Sequence, residues 1–173
     1  MLTLMTDKPH HDRLTKLREQ YFPKQINKLA AHLTLFHALP GSKLESDILP
    51  VLKQVASSHQ PFKVHAARPF RLKRGMAIDV PRNEGGSDAQ KVHHSLQQPW
   101  KKAGFLSEQD AGGCRLHYTI MNKVEDDAEV DKALREVTDS WKGDQGTVEG
   151  LGLFLYERGY WRFKQKFAFG VKS

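Results

Sequence analysis

The sequence predicts an α+β protein with two related halves. Stretches rich in β-branched and aromatic residues, typical of strands, alternate with stretches whose apolar residues recur every three or four positions, as in amphipathic helices. One order of elements, a strand, a capped helix and then two strands, occurs in each half of the 173 residues. A chain of this length can bury a core without metal or disulfide staples, so we expect a single bilobal domain over residues 1–173.

The first half holds a leading strand and helix and then the first of the two related units, at about 30–80. Pro23 ends the leading helix, because the residue before a proline avoids helical geometry. The run AAHLTLFHAL is too apolar for a loop and is closed by a Pro-Gly turn, which predicts a buried strand. The elements predicted in this half are a strand at 2–5, a helix around 14–21, a strand at 30–39, a helix at 46–58 and strands at 62–70 and 76–80.

The second half begins after a polar, glycine-rich segment at 81–88, which we interpret as the connection between the two lobes. Asp126 followed by Glu129 is a capping pair that starts the last helix. Arg158-Gly159 separates two strand-like runs and predicts a tight hairpin. The elements predicted in this half are a helix at 92–100, a loop at 107–113, and then the second related unit at 115–169, with a strand at 115–124, a helix at 126–141 and strands at 147–156 and 160–169.

The most informative feature is a short motif that occurs twice. His32-Leu33-Thr34-Leu35 recurs as His117-Tyr118-Thr119-Ile120. With nine His and seven Thr in the chain, about 0.4 His-x-Thr spacings are expected by chance, so two copies in equivalent strands are informative where one is not. Residues i and i+2 of a strand face the same side, so each His projects together with its Thr. If a pseudo-twofold axis relates the two units, both pairs converge on one cleft.

Two imidazoles and two hydroxyls around one pocket suit phosphoryl chemistry. Imidazole titrates near neutral pH, so a neutral His can take a proton from water while a protonated His gives one to a leaving oxygen. Threonine hydroxyls can donate hydrogen bonds to phosphate oxygens and hold the phosphorus between the two rings.

We predict no cofactor and no metal site. His10-His11 and His93-His94 lack ligand partners at a recognisable spacing and are interpreted as surface residues, and His37 as a core or edge residue.

The HLTL and HYTI motifs, with the duplicated order of elements around them, resemble the two-histidine (2H) phosphoesterase superfamily. HLTLFHALPG in particular resembles its 2'-5' RNA ligase and cyclic phosphodiesterase branch. The resemblance covers nearly the whole chain. It implies two pseudo-symmetric α+β lobes, each an antiparallel sheet with helices on its outer face, around a central cleft that both motifs line.

The resemblance also implies an activity and assigns roles to the motif residues. The enzyme would open 2',3'-cyclic phosphates of RNA ends or nucleotides to 2'-phosphomonoesters without a metal ion, and some members join RNA through 2'-5' linkages. His32 would protonate the leaving 3'-oxygen and His117 would activate water, with Thr34 and Thr119 as phosphate ligands. The alternative is a non-catalytic RNA- or nucleotide-binding module that keeps the cleft, and a third interpretation is an interaction protein with an incidental motif pair.

The excess positive charge lies in the first half of the chain. Residues 1–86 contain 14 Lys and Arg against 7 Asp and Glu, whereas residues 87–173 contain 13 of each, so the first half carries the whole net charge of +7. This favours a phosphate-bearing partner, namely RNA ends or small cyclic nucleotides, and we predict no obligate protein partner. Six residues are candidate contacts to RNA or to a base, each weighed against an ordinary place in the core or on a solvated turn: Phe36, Arg68, Tyr118, Tyr156, Arg158 and Trp161.

The remaining composition excludes several classes of protein. One cysteine, Cys114, excludes an internal disulfide framework and a cysteine-based zinc cluster. No apolar run approaches the roughly 20 residues that span a bilayer, and the first residues lack the pattern of a signal peptide. We therefore expect a cytoplasmic protein without a membrane partner.

Overall fold

The structure of the protein is a computed structural model that describes residues 1–170. Residues 171–173, the end of the predicted domain, lie outside the described residues. Residues 1–170 form eight strands and five helices. The strands are β1 (Leu2–Thr6), β2 (Leu33–Phe36), β3 (Phe62–Ala66), β4 (Pro69–Leu72), β5 (Gly75–Asp79), β6 (His117–Met121), β7 (Asp144–Glu157) and β8 (Tyr160–Ala168). The helices are α1 (Lys8–Tyr21), α2 (Leu49–Ser58), α3 (Gly86–Ala103), α4 (Glu108–Ala111) and α5 (Asp127–Ser140).

The residues at the helix ends explain where three of these helices begin. The carboxylate of Asp7 caps α1 by accepting a hydrogen bond from a backbone N–H of the first turn. Asp126 caps α5 in the same way, as the sequence predicts. Gly85 precedes α3 with φ of 103°, and a Cβ there would lie 2.3 Å from the carbonyl oxygen of Lys63, so glycine alone fits this position.

All eight strands form one antiparallel sheet. Their order is β3-β7-β1-β2-β6-β5-β4, with β8 paired to β7. Helix α1 contacts β6 and β7, α2 contacts β7 and β8, α5 contacts β4 and β5, and α3 packs against α2. The predicted α+β class, with antiparallel strands and helices packed on them, is confirmed.

The strands do not follow the order of the chain within the sheet. β4 and β5, which come after the first motif, pair with β6, which carries the second motif. β7 and β8, which come after the second motif, join the sheet through β1, beside the first-motif strand β2. The second motif strand, β6, therefore lies between two strands from the first half, β5 and β2, whereas β2 lies between β1, from its own half, and β6 at the centre.

Several predicted strands have other boundaries in the structure, and the pairing of the backbone explains the two largest differences. The strand expected at 30–39 covers only Leu33–Phe36, since the next two backbone N–H groups donate to the carboxylate of Asp110, at 2.8 and 2.9 Å, instead of to a neighbouring strand. The strand expected at 62–70 is divided into β3 and β4, because its two parts pair with different partners, β7 and β5.

Two segments that were predicted to lack regular structure are partly helical. Helix α3 begins at Gly86, inside the segment 81–88 that was expected to connect the lobes, and α4 occupies part of the predicted loop 107–113. None of the helices within residues 1–170 is long and apolar enough to cross a membrane.

Candidate active site

The two motifs meet where β2 and β6 pair at the centre of the sheet. Leu33 lies opposite Tyr118, and continuing this antiparallel register by one residue on each side sets His32 opposite Thr119 and Thr34 opposite His117. Because neighbouring residues in a strand face opposite sides, the motif His and Thr residues share one face of the sheet. Leu33 and Tyr118 are buried on the other face, whereas the four motif residues are half-buried. The structure thus brings both motifs to one face of the sheet, on two paired strands.

The two imidazoles are held in the same way. Nδ1 of His32 lies 2.8 Å from the carbonyl oxygen of Ala30, and Nδ1 of His117 lies 2.7 Å from that of Arg115, in each case two residues before the ring. A carbonyl oxygen only accepts, so Nδ1 carries the hydrogen in both rings. This leaves Nε2 of each ring to exchange a proton with a ligand.

Burial favours the neutral form of both rings in the free protein. Burial lowers the pKa of His32 to about 4, with the nearby cation of Arg18 acting in the same direction. Burial also lowers the pKa of His117, assisted by the charge of Arg115 and partly opposed by Asp79. An anion bound close to either ring would favour the protonated form of that ring.

His117 has an aromatic and cationic neighbourhood that the sequence analysis missed. The ring of Phe70 lies edge-to-face against His117, with 5.8 Å between the ring centroids. The guanidinium of Arg115 lies 3.8 Å from the centroid of Phe70, and its Nε is 3.4 Å from a carboxylate oxygen of Asp79. Arg115 stands two residues before His117, so period-two spacing along the strand was the signal that could have found it.

A third histidine lies on the loop that leaves β2. The backbone N–H groups of His37 and Ala38 donate to the buried carboxylate of Asp110, and Nδ1 of His37 lies 3.5 Å from the same carboxylate. Burial alone would raise the pKa of Asp110, but these contacts outweigh burial and lower it. The side chain of His37 is exposed, so of the two predicted positions, core or edge, the core is excluded.

A buried polar network lies beneath the second motif. His10 is fully buried, donates from Nδ1 to the carboxylate of Asp144 at 2.6 Å, and has Nε2 3.0 Å from the hydroxyl of Tyr118. Arg13 donates to the second oxygen of the Asp144 carboxylate at 2.6 Å. Arg18 donates to the backbone carbonyl of Thr119 at 3.0 Å. Helix α1 thus contacts β6 through Tyr118, whose side chain lies on the face of the sheet opposite the motif histidines.

The prediction that both adjacent histidine pairs lie on the surface is wrong for one member of each pair. His10 is buried as described, and His93 is buried with its ring stacked on Phe36 at 4.7 Å between centroids. Neighbouring helix residues point in different directions, so one ring of each pair faces the core. Within residues 1–170, no three His, Cys, Asp or Glu side chains are grouped so as to hold a metal ion.

Two of the six candidate base contacts are excluded by burial. Phe36 is fully buried between His93 and Trp100, and Tyr118 is buried on the face of the sheet opposite the motif His and Thr side chains. Neither ring can stack on a base from solvent. The prediction that Phe36 and Tyr118 contact a base is therefore wrong, and both are core residues. The other four candidates lie towards the outside of the fold. Arg68 lies between β3 and β4, and the remaining three lie at the β7–β8 turn: Tyr156, Arg158 and Trp161. The centroids of the Tyr156 and Trp161 rings are 5.1 Å apart.

Comparison with known proteins agrees with this arrangement. Residues 6–160 match the family model of the 2'-5' RNA ligase superfamily. The chain therefore belongs to the 2'-5' RNA ligase superfamily, which is a group of 2H phosphoesterases, and the resemblance seen in the sequence is confirmed. Membership supports a phosphoesterase-type enzyme. No curated protein matches the chain significantly in sequence.

Solved structures show the same fold. The crystal structure of TT0787 of Thermus thermophilus superposes with a TM-score of 0.64 at 12% identity, covering 99% of this chain and 98% of that one. The crystal structure of E. coli LigT complexed with 3'-AMP gives 0.62 at 12% identity, covering 98% and 97%. A structure described as a phosphoesterase gives 0.59 at 14% identity, covering 98% and 97%.

Proposed function

We propose that this protein opens 2',3'-cyclic phosphates of RNA ends or nucleotides to 2'-phosphomonoesters, without a metal ion, using His117 as base and His32 as acid. Superfamily membership supports phosphoesterase chemistry, and E. coli LigT, which shares the fold, was crystallised with 3'-AMP and with NADP+. The observation that carries the proposal is the matched pair of imidazoles, each with Nδ1 on a backbone carbonyl and Nε2 left for proton exchange.

In the proposed reaction one P–O bond forms and one breaks. The oxygen of a water molecule attacks phosphorus while Nε2 of neutral His117 takes a proton from that water. The bond from phosphorus to the 3'-oxygen breaks, and protonated His32 gives the proton on its Nε2 to that oxygen. The hydroxyls of Thr34 and Thr119 donate to the non-bridging oxygens, where negative charge grows in the transition state. Proton exchange with solvent then restores both rings.

The same proton transfers support ligation when water is replaced by an alcohol. If the 5'-hydroxyl of a second RNA attacks phosphorus, His117 takes its proton, the 3'-oxygen leaves as before, and the product is a 2'-5' linkage. The family to which the chain belongs is named for this activity. An assay of RNA carrying a cyclic phosphate at one end, with a second RNA carrying a free 5'-hydroxyl, separates hydrolysis from ligation by product length.

The test is single replacement of each motif histidine. We expect His32→Ala and His117→Ala each to lose about 10²–10⁴-fold in turnover of 2',3'-cyclic nucleotides, the usual contribution of general acid–base catalysis. His94→Ala is the matched control, because His94 is exposed on α3 and belongs to neither motif. Turnover like that of the wild type in either motif variant would contradict the assigned roles, and activity abolished by a chelator would contradict the metal-free mechanism.

Nucleotide binding without conversion would favour the alternative, a non-catalytic module that keeps the cleft. Product analysis decides between them, because only the enzyme accumulates the 2'-phosphomonoester. Appearance of a 3'-phosphomonoester would contradict the assignment of the 3'-oxygen as the leaving group.

A further inference from the structure

A concave surface lies beside the first motif. It is a groove of about 430 Å³, formed by β1, the segment before β2, the start of α1 and the β7–β8 hairpin, and we call it the His32 groove. His32 lines it, whereas His117 does not. Its volume falls within the about 300–1,000 Å³ that is usual for small-molecule sites. The groove therefore lies on the His32 side of the two histidines and does not reach His117.

Backbone pairing makes the floor of the His32 groove continuous with the phosphate site. Thr3 of β1 lies opposite both Thr34 of β2 and Gly152 of β7, and Gly152 lies opposite Lys166 of β8. Directly opposed residues of an antiparallel sheet share a face, so this row lies on the face of the motif side chains. The row of four residues leads from Thr34, the candidate phosphate ligand, to Lys166 at the far edge of the groove.

A β-bulge directs an aromatic ring onto the same face. The β7–β8 register shifts between Leu153 and Phe154, which leaves Lys164 as an extra residue of β8. Without this bulge Phe163 and Lys166 would face opposite sides of the strand, and with it both line the groove. Phe163 lies edge-to-face against Phe154, with 5.4 Å between centroids, and is 45% exposed. A ring surface is thus presented to a ligand in the groove.

Gly152 of β7 leaves room for the side chains of β1 that line the groove. A Cβ at Gly152 would lie 2.4 Å from the sulfur of Met5 and 3.1 Å from the hydroxyl of Thr3. Both of these residues line the groove, so a larger residue at this position would push them into it. Gly152 matches no nucleotide-binding fingerprint in the sequence, and the packing of β1 on β7 explains it instead.

We propose that the His32 groove binds the nucleoside that carries the cyclic phosphate, with the base against Phe163 and Phe154 and the phosphate between the two histidines. This inference rests on the proposed function and extends it to the position of the substrate. Two lysines line the groove, and each is paired with a carboxylate, Lys8 with Asp12 and Lys166 with Glu149 at 3.4 Å. The apolar rings suit the face of a base, and a phosphate could replace either carboxylate as the partner of a lysine.

The proposal has two consequences for the reaction. The ribose enters from the His32 side, which places its 3'-oxygen next to the residue assigned as acid and leaves the His117 side to water. Aromatic stacking accepts any base, because every base has a π-face, so we expect little preference among the four nucleotides.

Phe163 and Lys166 lie beyond residues 6–160 of the family match, so this wall of the groove is not part of the matched region.

The experiment compares two substrates in three variants. The substrates are adenosine 2',3'-cyclic phosphate and methyl riboside 2',3'-cyclic phosphate, which has a methoxy group in place of the base. For Phe163→Ala we expect kcat/KM on the adenosine substrate to fall roughly 5- to 150-fold, mainly through KM, as for loss of one base–aromatic contact. The riboside should be unaffected. Phe163→Leu keeps an apolar contact with Phe154 but lacks the ring, and should show the same selective loss.

Tyr160→Ala is the matched control, because Tyr160 lies on the same strand, is 61% exposed and does not line the groove. If both Phe163 variants turn over the adenosine substrate like the wild type, or lose both substrates equally, the groove assignment is overturned. If the wild type itself turns over neither substrate, the proposed function fails. NMR titration with adenosine 2'-monophosphate then tests the groove by itself: shifts at Phe163 and Phe154 support it, and their absence overturns it.

Discussion

Replacing Gly146 by alanine is expected to destabilise the protein through a collision with one buried ring. Gly146 lies in β7, and a Cβ built on it would be 2.3 Å from Cγ and 2.5 Å from Cδ2 of His10. The ring of His10 cannot swing away freely, since its two nitrogens are held by the carboxylate of Asp144 at 2.6 Å and the hydroxyl of Tyr118 at 3.0 Å. The added methyl must therefore displace a hydrogen-bonded side chain or the backbone of β7.

The size of the effect follows from the cost of overpacking a well-ordered core. We expect Gly146→Ala to lower the free energy of unfolding by about 1–3 kcal/mol in the wild-type background. In the His10→Ala background the two nearest atoms are gone, and the remaining contact, 2.8 Å to Cβ of residue 10, can relax into the space the ring leaves. There the same substitution should cost little, so the coupling energy between the two positions should be at least about 1 kcal/mol.

The assay is urea unfolding of the wild type, both single variants and the double variant, followed by tryptophan fluorescence. Equal m-values across the four proteins are needed, since they show that the free energies refer to the same unfolding reaction. Additivity of the two substitutions within about 0.5 kcal/mol would refute the reasoning, because it would mean that the His10 ring does not limit the space at residue 146.

Four further outcomes are expected. Tyr118→Phe should lower the free energy of unfolding by about 1–3 kcal/mol, because His10 loses a partner in a buried site, and an unchanged urea midpoint would contradict this. Asp110→Ala should loosen the loop after β2, which loses the acceptor for two backbone N–H groups, and faster amide exchange of those groups checks it. Because the pKa of His32 is lowered to about 4 from 6.5, its contribution to stability is complete above about pH 6.5 and is lost as the pH falls towards 4. His32→Gln should reduce this acid loss in urea titrations at several pH values, and at neutral pH the ¹⁵N NMR signals of His32 and His117 should show the Nδ1–H tautomer.

Much of the candidate site could be predicted from residue spacing. His32 with Thr34, and His117 with Thr119, each stand two positions apart in an apolar stretch, and period two in a strand sets them on one face whatever the rest of the fold does. The structure shows this alternation directly, with the motif residues half-buried and the residues between them buried. The cap at Asp126 and the turn at Arg158-Gly159 were predictable for the same reason, since both depend on local geometry.

The residues that sequence reasoning misplaced are those whose surroundings come from distant parts of the chain. His10 is buried because Asp144 and Tyr118 supply its partners, and neither lies near it in sequence. Phe36 and Tyr118 resemble candidate stacking residues by type, and only the packing of helices on one face of the sheet shows that they belong to the core.

The sequence by itself determined which stretches are strands and helices and which four side chains project in pairs, because these features depend on propensity and period along the chain. Only the tertiary structure decided that β2 pairs with β6 at the centre, that β4 and β5 cross to the second motif and β7 and β8 to the first, and that a bulge turns Phe163 into the His32 groove. Strand partners and register are set by contacts between residues far apart in the chain, and those contacts leave no periodic pattern in the sequence.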